Sequence, residues 1–387
     1  MQDYRPKEIY VESSVANHPV TQRILAKFPD LPVAVVDNRA GIKYPQNHTR
    51  AKHQLFLARH QGQSIKACQG MGDYVCCQYF TIALVTDCHL ECTYCILQDY
   101  LKNNPVITFF VNVENIFAEI AEKTRKHPDR IFRIGTGELS DSLALDHVHE
   151  FSRDCVDFAN EHRNVLLEFK TKTANIKNLL GYKHKGNVVV SWSINPQNYI
   201  TQEEHKCDTL ADRLAAARQC ADAGYPVGFH LDPLLHYQDW QNEYENVVEQ
   251  LAQIFKPREI AWISLGTLRF TKELKKISQE RFPKSKIMTE EMFPGNDGKT
   301  RYFRPIREEM YRHLSALIRQ KLKKVPYYLC METKPVWQQV FNMVPGNNTE
   351  LERHLVQNFS SSQNKETAAA SHEPAPCAVG TDVATPH

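Results

Sequence analysis

The stretch "CHLECTYC" sets Cys88, Cys92 and Cys95 at C-x3-C-x2-C spacing, directly after the apolar run "TIALVTD". A structural zinc site closes with four ligands, usually as two separated pairs. Here three thiols share one loop, and the chain contains no second C-x2-C. On a cubane iron–sulfur cluster, three thiolates leave one iron without a protein ligand, and an open iron is a place for chemistry. That is the favoured reading. A zinc site with His89 as an awkwardly adjacent fourth ligand, or cysteines that simply pack in a core, are the alternatives.

The elements that must carry this loop are legible as alternation. β-rich runs occur at "IALVT", "RIFRIG", "NVLLEFK", "NVVVSWSI", "YPVGFHL" and "EIAWISL". Helical stretches separate them: "NVENIFAEIAEKTRKH", "LALDHVHEFSRDCVDFANEH", "LADRLAAARQCADAG" and "YENVVEQLAQIFK". In the third, Leu210, Leu214 and Ala217 share a face, and Gly224 stands where a helix stops. Such alternation implies a parallel sheet with right-handed crossovers, either a partial barrel or a doubly wound sheet, with ligands at the strand C-termini. The expected organisation is a small N-terminal α/β lobe over 1–80 and the strand–helix array over 81–285. An Arg- and Tyr-rich C-terminal extension over 286–359 and a disordered tail over 360–387 follow.

Composition narrows the setting. The 387 residues carry a formal charge of only +2, so no strong global field is expected. The N-terminus "MQDYRPKEIY" has no export pattern, and no stretch is apolar enough to span a membrane. Eleven cysteines without a disulfide-framework spacing fit a reducing compartment, so a cytoplasmic location is expected.

The C-x3-C-x2-C loop at the end of the first strand of a βα array resembles the radical S-adenosylmethionine (SAM) superfamily. More narrowly, "CTYCILQDYLKNNPVITFFVNVENI" closely resembles the spore photoproduct lyase family. The likeness runs from "YRPKEIYVE" through "RFTKELKKISQERFPKSK" to "RYFRP". The resemblance implies a partial (β/α)6 TIM-like barrel and a [4Fe–4S] cluster whose open iron chelates SAM. It also implies reductive cleavage of SAM to a 5′-deoxyadenosyl radical, and action on a thymine photoproduct in DNA. An external one-electron donor such as flavodoxin or ferredoxin would then be a partner, with no role for a membrane. Matched to the family, Ser140, Lys172 and Ser193 fall on SAM contacts, with Asn195 beside the last.

Two departures stand out. The family's hydrogen-donating cysteine aligns with Glu138, and its tyrosine after the third cluster cysteine is Ile96, while Tyr94 between the last two cysteines remains. A carboxylate cannot donate a hydrogen atom, since at neutral pH its proton is normally absent. Glu138 is therefore expected to touch the SAM ammonium or the substrate, or to carry a proton. The alternatives are a photoproduct lyase with a relocated donor and a non-catalytic nucleic-acid-binding protein with a structural metal.

For substrate, "GKTRYFRPIREEMYRH" interleaves Lys299, Arg301, Arg304, Arg307 and Arg312 with Tyr302 and Phe303. Cations there could hold phosphates and aromatics could stack on a base. The Tyr302/Arg304 neighbourhood matches the family's lesion-recognising hairpin, although nearby glutamates make a solvated face the competing reading. His230 and Asp232 at the end of the fifth strand could meet substrate or pair structurally. The vicinal Cys76 and Cys77 are expected to chelate poorly.

Overall fold

The computed structural model describes residues 4–43, 45, 47–68, 74–345, 348–356 and 359; the expected tail lies outside them. Its main sheet has eight strands. Seven are parallel: β1 (Phe80–Ile82), β2 (Phe132–Gly135), β3 (Val165–Thr171), β4 (Val188–Ser193), β5 (Val227–Leu234), β6 (Ile260–Thr267) and β7 (Tyr327–Leu329). They lie side by side in chain order and curl into a half-barrel, the partial TIM-like architecture. The antiparallel strand Ile65–Ala67 covers the β1 edge. Strands β3, β4 and β6 are buried along nearly their whole length, which is why they read as continuous apolar runs and not as alternation.

Three expectations shift. β7 is a seventh parallel strand that the pattern of six did not include. The run "IALVT" is not one strand: Phe80–Ile82 lies in the half-barrel, whereas Val85–Thr86 crosses to a second sheet. That second sheet orders Val33–Val36, Glu8–Glu12, Gln54–Ala58, Ile107–Phe110 and Val85–Thr86, parallel except for the last pairing. The chain is thus pinned in both sheets within seven residues, just before Cys88. The long helix read over 143–162 is also broken. Glu150, at φ 61°, separates Asp146–His149 from Phe151–Glu161. The helix Leu210–Asp222 ends as expected, with Gly224 at φ +91°.

The half-barrel interior is polar at its centre. Glu168 on β3 accepts hydrogen bonds from Ser191 Oγ at 2.5 Å, His230 Nε2 at 2.8 Å and Trp262 Nε1 at 3.0 Å. Burial opposes its charge, but His230 and Arg133 outweigh this and hold its carboxyl far below the usual range. Arg133 stacks over the Trp262 ring at 4.2 Å, with the Tyr79 and Tyr328 rings also within cation–π distance. Among the described residues, no helix is long and apolar enough to cross a membrane.

Gly228 on β5 lets this knot close. A Cβ there would lie 2.3 Å from Ser191 Oγ and 3.1 Å from Trp262 Nε1, two of the Glu168 donors. Gly228→Ala is expected to destabilise the fold by ~1–3 kcal/mol, read as a lower urea midpoint.

Candidate active site

The cysteine turn starts at Asp87, whose φ of 65° bends the chain out of Val85–Thr86. The Asp87 carboxylate accepts the Cys88 N–H at 2.7 Å. Lys52, buried and reaching in from the N-terminal region, donates to the Leu90 carbonyl at 2.8 Å. Its ammonium stands 3.8 Å from Asp87 and 3.9 Å from Glu91. Glu91 also binds Arg281, while Gln98 Nε2 donates to the Cys92 and Thr93 carbonyls at 3.1 Å each. The loop is therefore held both by distant segments, through Lys52 and Arg281, and by the nearby Gln98.

The three thiols fit a thiolate-ligated cluster by donor chemistry. Cys88 and Cys92 are buried and Cys95 half-buried, on one turn. Burial pushes the Cys88 thiol well up, and pushes Cys95 up to about 11. Thiolates in such surroundings need compensating positive charge, which a metal cluster supplies. Among the described residues, no three His, Cys, Asp or Glu side chains converge on a single-ion site. His89 is buried with neither ring nitrogen hydrogen-bonded, and burial lowers its pKa to about 3, so it is neutral.

Beside the turn, Glu91–Cys92 pairs antiparallel with Glu204–His205, Cys92 opposite Glu204. Glu204 gathers several of the residues expected to hold SAM. Its carboxylate accepts from Tyr94 Oη and, at 3.0 Å, from Asn195 Nδ2. Lys172 Nζ lies 3.6 Å away and 5.6 Å above the Tyr94 ring. Arg213 forms a 2.6 Å ion pair with Glu204 and donates to the Ser193 carbonyl at 2.9 Å. Tyr94, Lys172, Ser193 and Asn195 therefore meet in one buried network. Burial opposes the Glu204 charge, but Arg213 and then Lys172 prevail and bring its pKa down to about 2.

Ser140 is buried on the loop after β2, next to Asp141. Asp141 accepts the Lys172 N–H at 2.7 Å and the Leu143 and Ala144 N–H groups, locking this loop to the end of β3. The Leu139 carbonyl accepts from the Asp87 N–H at 2.8 Å, joining it to the cysteine turn. Glu138 is exposed on the same loop and lies outside the Glu204 network.

A cavity of about 770 Å³ opens past the ends of β4 and β5, lined among others by Tyr199, His205, Tyr237, Lys284, Lys286 and Tyr302. Tyr302 is 3% exposed, and its hydroxyl accepts the His236 N–H at 3.1 Å. It forms part of the cavity wall and is not a free stacking face. Arg304 opens the helix Arg304–Lys321 and pairs outward with Glu308 at 2.6 Å. His230 is taken up by Glu168, and Asp232 pairs with Arg269 at 3.3 Å. Lys52, Asp87, Glu204 and Arg213 were not singled out from sequence. Lys52 and Glu204 find partners far along the chain, and for the rest the one local signal was a charged residue near an expected site.

One further thiol, that of Cys68, lies within electrostatic reach of Glu138. Burial pushes Cys68 up to about 11, with Cys77 and Glu138 adding to the effect and Lys170 and Arg269 opposing it. Cys330, directly after β7, receives a 3.7 Å contact from Arg269 Nη2.

The spore photoproduct lyase family profile matches residues 4–327. A spore photoproduct lyase of Geobacillus sp. (strain Y412MC61) is 26% identical over 301 residues, 75% of this chain and 86% of the relative. That of Bacillus subtilis (strain 168) is 26% identical over 297 residues, covering 74% and 85%. A solved single-mutant spore photoproduct lyase superposes with a TM-score of 0.78 at 24% identity, covering 85% of this chain and all of that one. A double mutant described as carrying bound AdoMet and dinucleoside spore photoproduct gives 0.77 at 23%, with the same coverage.

The Glu204 carboxylate is depressed in the folded chain, so the stability it contributes is fully present above its ordinary value of 4.5 and lost as pH falls toward about 2. Glu204→Gln leaves Arg213 and Lys172 unpaired and is expected to cost ~3–5 kcal/mol at pH 7. The gap from wild type, measured by urea denaturation, should narrow below about pH 4.5.

Proposed function

The chain belongs to the spore photoproduct lyase family and with it to the radical SAM enzymes, and on that premise we propose that it is a radical lyase acting on a nucleic-acid lesion. Cys88, Cys92 and Cys95 would hold a [4Fe–4S] cluster, and SAM would lie against Ser140, Lys172, Ser193 and Asn195. When bound, the cluster supplies one electron to SAM, whose cleavage yields the 5′-deoxyadenosyl radical. The observation that carries this reading is the joining of the cysteine turn to Glu204–His205, which brings Lys172, Asn195 and Tyr94 to the same buried network beside the thiols.

In this reading the chain's own groups position and exclude water. Lys172 exchanges part of its pairing with Glu204 for the SAM carboxylate, its ammonium held in place by Glu204 and Tyr94. Asn195, fixed by Tyr244 at 2.8 Å and by Glu204, keeps the end of β4 in register. Glu138, exposed on its loop, is free to meet the SAM ammonium or the substrate. In the cavity, Tyr199 and Tyr237 would supply stacking faces and Lys284 and Lys286 phosphate-binding charge for nucleic acid. A ferredoxin- or flavodoxin-class protein would deliver the electron.

Anaerobic reconstitution tests this. Wild type should take up iron and sulfide, absorb at ~400 nm as thiolate-bound clusters do, and release 5′-deoxyadenosine from SAM under reduction. Substituting Ala for any of the three cysteines should abolish the absorption. Lys172→Ala should keep the cluster but bind SAM ~10–100-fold more weakly, the loss of a charge-assisted contact. Zinc in place of iron, with nucleic-acid binding intact, would leave a binding protein instead.

A second reading, photoproduct repair with a relocated hydrogen donor, has the Cys68 thiol, within electrostatic reach of Glu138, in its favour. At a pKa of about 11, Cys68 keeps its S–H at neutral pH, as a hydrogen-atom donor must. Its N–H is fixed to the Tyr79 carbonyl at 2.7 Å. With a defined dinucleoside photoproduct, Cys68→Ala should still cleave SAM but restore thymine at least about tenfold more slowly. Unchanged repair by this variant removes Cys68 from that role.

A further inference from the structure

Cys207 lies outside the C-x3-C-x2-C loop, yet its Sγ is 3.5 Å from Cys92 Sγ. The contact follows from the backbone. Cys92 stands opposite Glu204 in the two-residue ladder, and Lys206, at φ 61°, turns the chain back over it. The Cys207 N–H closes this turn on the Glu204 carbonyl at 3.2 Å. The two sulfurs are therefore in contact because of an ordered strand pair and a fixed turn. Lys206 is itself tethered to Glu91 at 3.7 Å, the residue before Cys92.

The pair is asymmetric in access. Cys92 is 6% exposed, whereas Cys207 is half-buried next to the exposed His205 and Lys206. An external disulfide can reach Cys207 first, and the buried thiol can then complete the exchange. Bonding requires the sulfurs to close to about 2.05 Å, a shift of the order of 1.5 Å.

We propose that Cys92 and Cys207 form a reversible thiol–disulfide exchange site in the cluster-free chain. The Cys207 thiol gives its proton to solvent base and attacks a low-molecular-weight disulfide, RSSR, forming the mixed disulfide and releasing RS⁻, which takes up a proton to leave as RSH. Cys92 thiolate then attacks the Cys207 sulfur, closing the internal disulfide and expelling the second RS⁻. In sum, two protein thiols and RSSR give one protein disulfide and two RSH, the two electrons passing to the small disulfide. Excess dithiol reverses both steps. Because the cluster assignment above makes Cys92 a ligand, the oxidised chain has only two of its three cluster thiols, and loading waits for reduction.

The test uses the full chain, freed of metal by anaerobic chelation and treated with glutathione disulfide. Non-reducing peptide mapping should recover a Cys92–Cys207 linked peptide, with two fewer alkylatable thiols than in the reduced chain. Oxidised wild type should take up at least about tenfold less iron than reduced wild type until dithiothreitol is added. Cys207→Ser, treated identically, should load without the dithiol. A map showing Cys207 only as its glutathione adduct, or linked to a different cysteine, overturns the proposal. So does a Cys207→Ser chain blocked as strongly as wild type. The wild-type map decides alone if that variant fails to fold. Should reduced wild type itself take up no iron and sulfide, the cluster assignment fails; normal loading without the linked peptide defeats the exchange site alone.

Discussion

The active-site region depends on one fully buried charge pair, Glu204 with Arg213. Two ions removed from water cost several kcal/mol each unless their attraction and further hydrogen bonds offset that loss. Here the offset is distributed. Tyr94, Asn195 and Lys172 also attend the Glu204 carboxylate, while Arg213 uses its remaining reach on the Ser193 and Asp208 carbonyls. These partners come from the cysteine turn, from β3, from β4 and from the helix Leu210–Asp222. Satisfying one carboxylate therefore draws these segments together. The arrangement explains why polar residues at the ends of neighbouring strands lie together and do not each find water separately.

The exposed loop position at 138 has a physical consequence of its own. A hydrogen-atom donor must stay protonated and lie close to the reacting carbon, and burial favours the first requirement for a thiol. Glu138 is exposed and on a loop held rigid by Asp141, so it suits contact with a charged group better than hydrogen-atom transfer. Cys68 and Cys330 lie among Arg269, Lys170 and Asp232, a setting of mixed charge.

Legibility followed sequence distance. Cys88, Cys92 and Cys95 fall within eight residues of contiguous pattern, and the strands carrying Gly135, Lys172, Ser193 and His230 advertise themselves by apolar runs. The family likeness came from the same local stretches. What stayed hidden was whatever depends on a partner far away. Lys52 meets the cysteine turn across 38 residues, and Tyr94 meets Glu204 across 110. Nothing in "QEEHKCD" distinguishes the buried Glu204 from its exposed neighbours Gln202 and His205, because burial there is decided by the two-residue ladder with Cys92. Strand β7 was missed for a related reason: "YYL" is too short to show a period and follows a Lys-rich helix end. The break of "IALVT" was invisible because both halves are apolar, and only sheet pairing tells them apart.

That break is also what makes the cysteine turn serviceable. Had the first strand continued straight, its end would project from one sheet edge with the freedom of an ordinary loop. Instead the chain leaves the half-barrel at Ile82 and pairs with Phe109 through Val85, reaching Asp87 already anchored on both sides. From there, Leu139 and Lys52 fix the turn against the loop after β2 and the N-terminal region respectively. A multi-thiol ligand set tolerates little slack, since each ligand must be deprotonated and oriented at once. The second sheet thus acts on the chemistry indirectly, through rigidity: it holds the turn still while the half-barrel presents the polar ends of β3 and β4 to whatever binds between them.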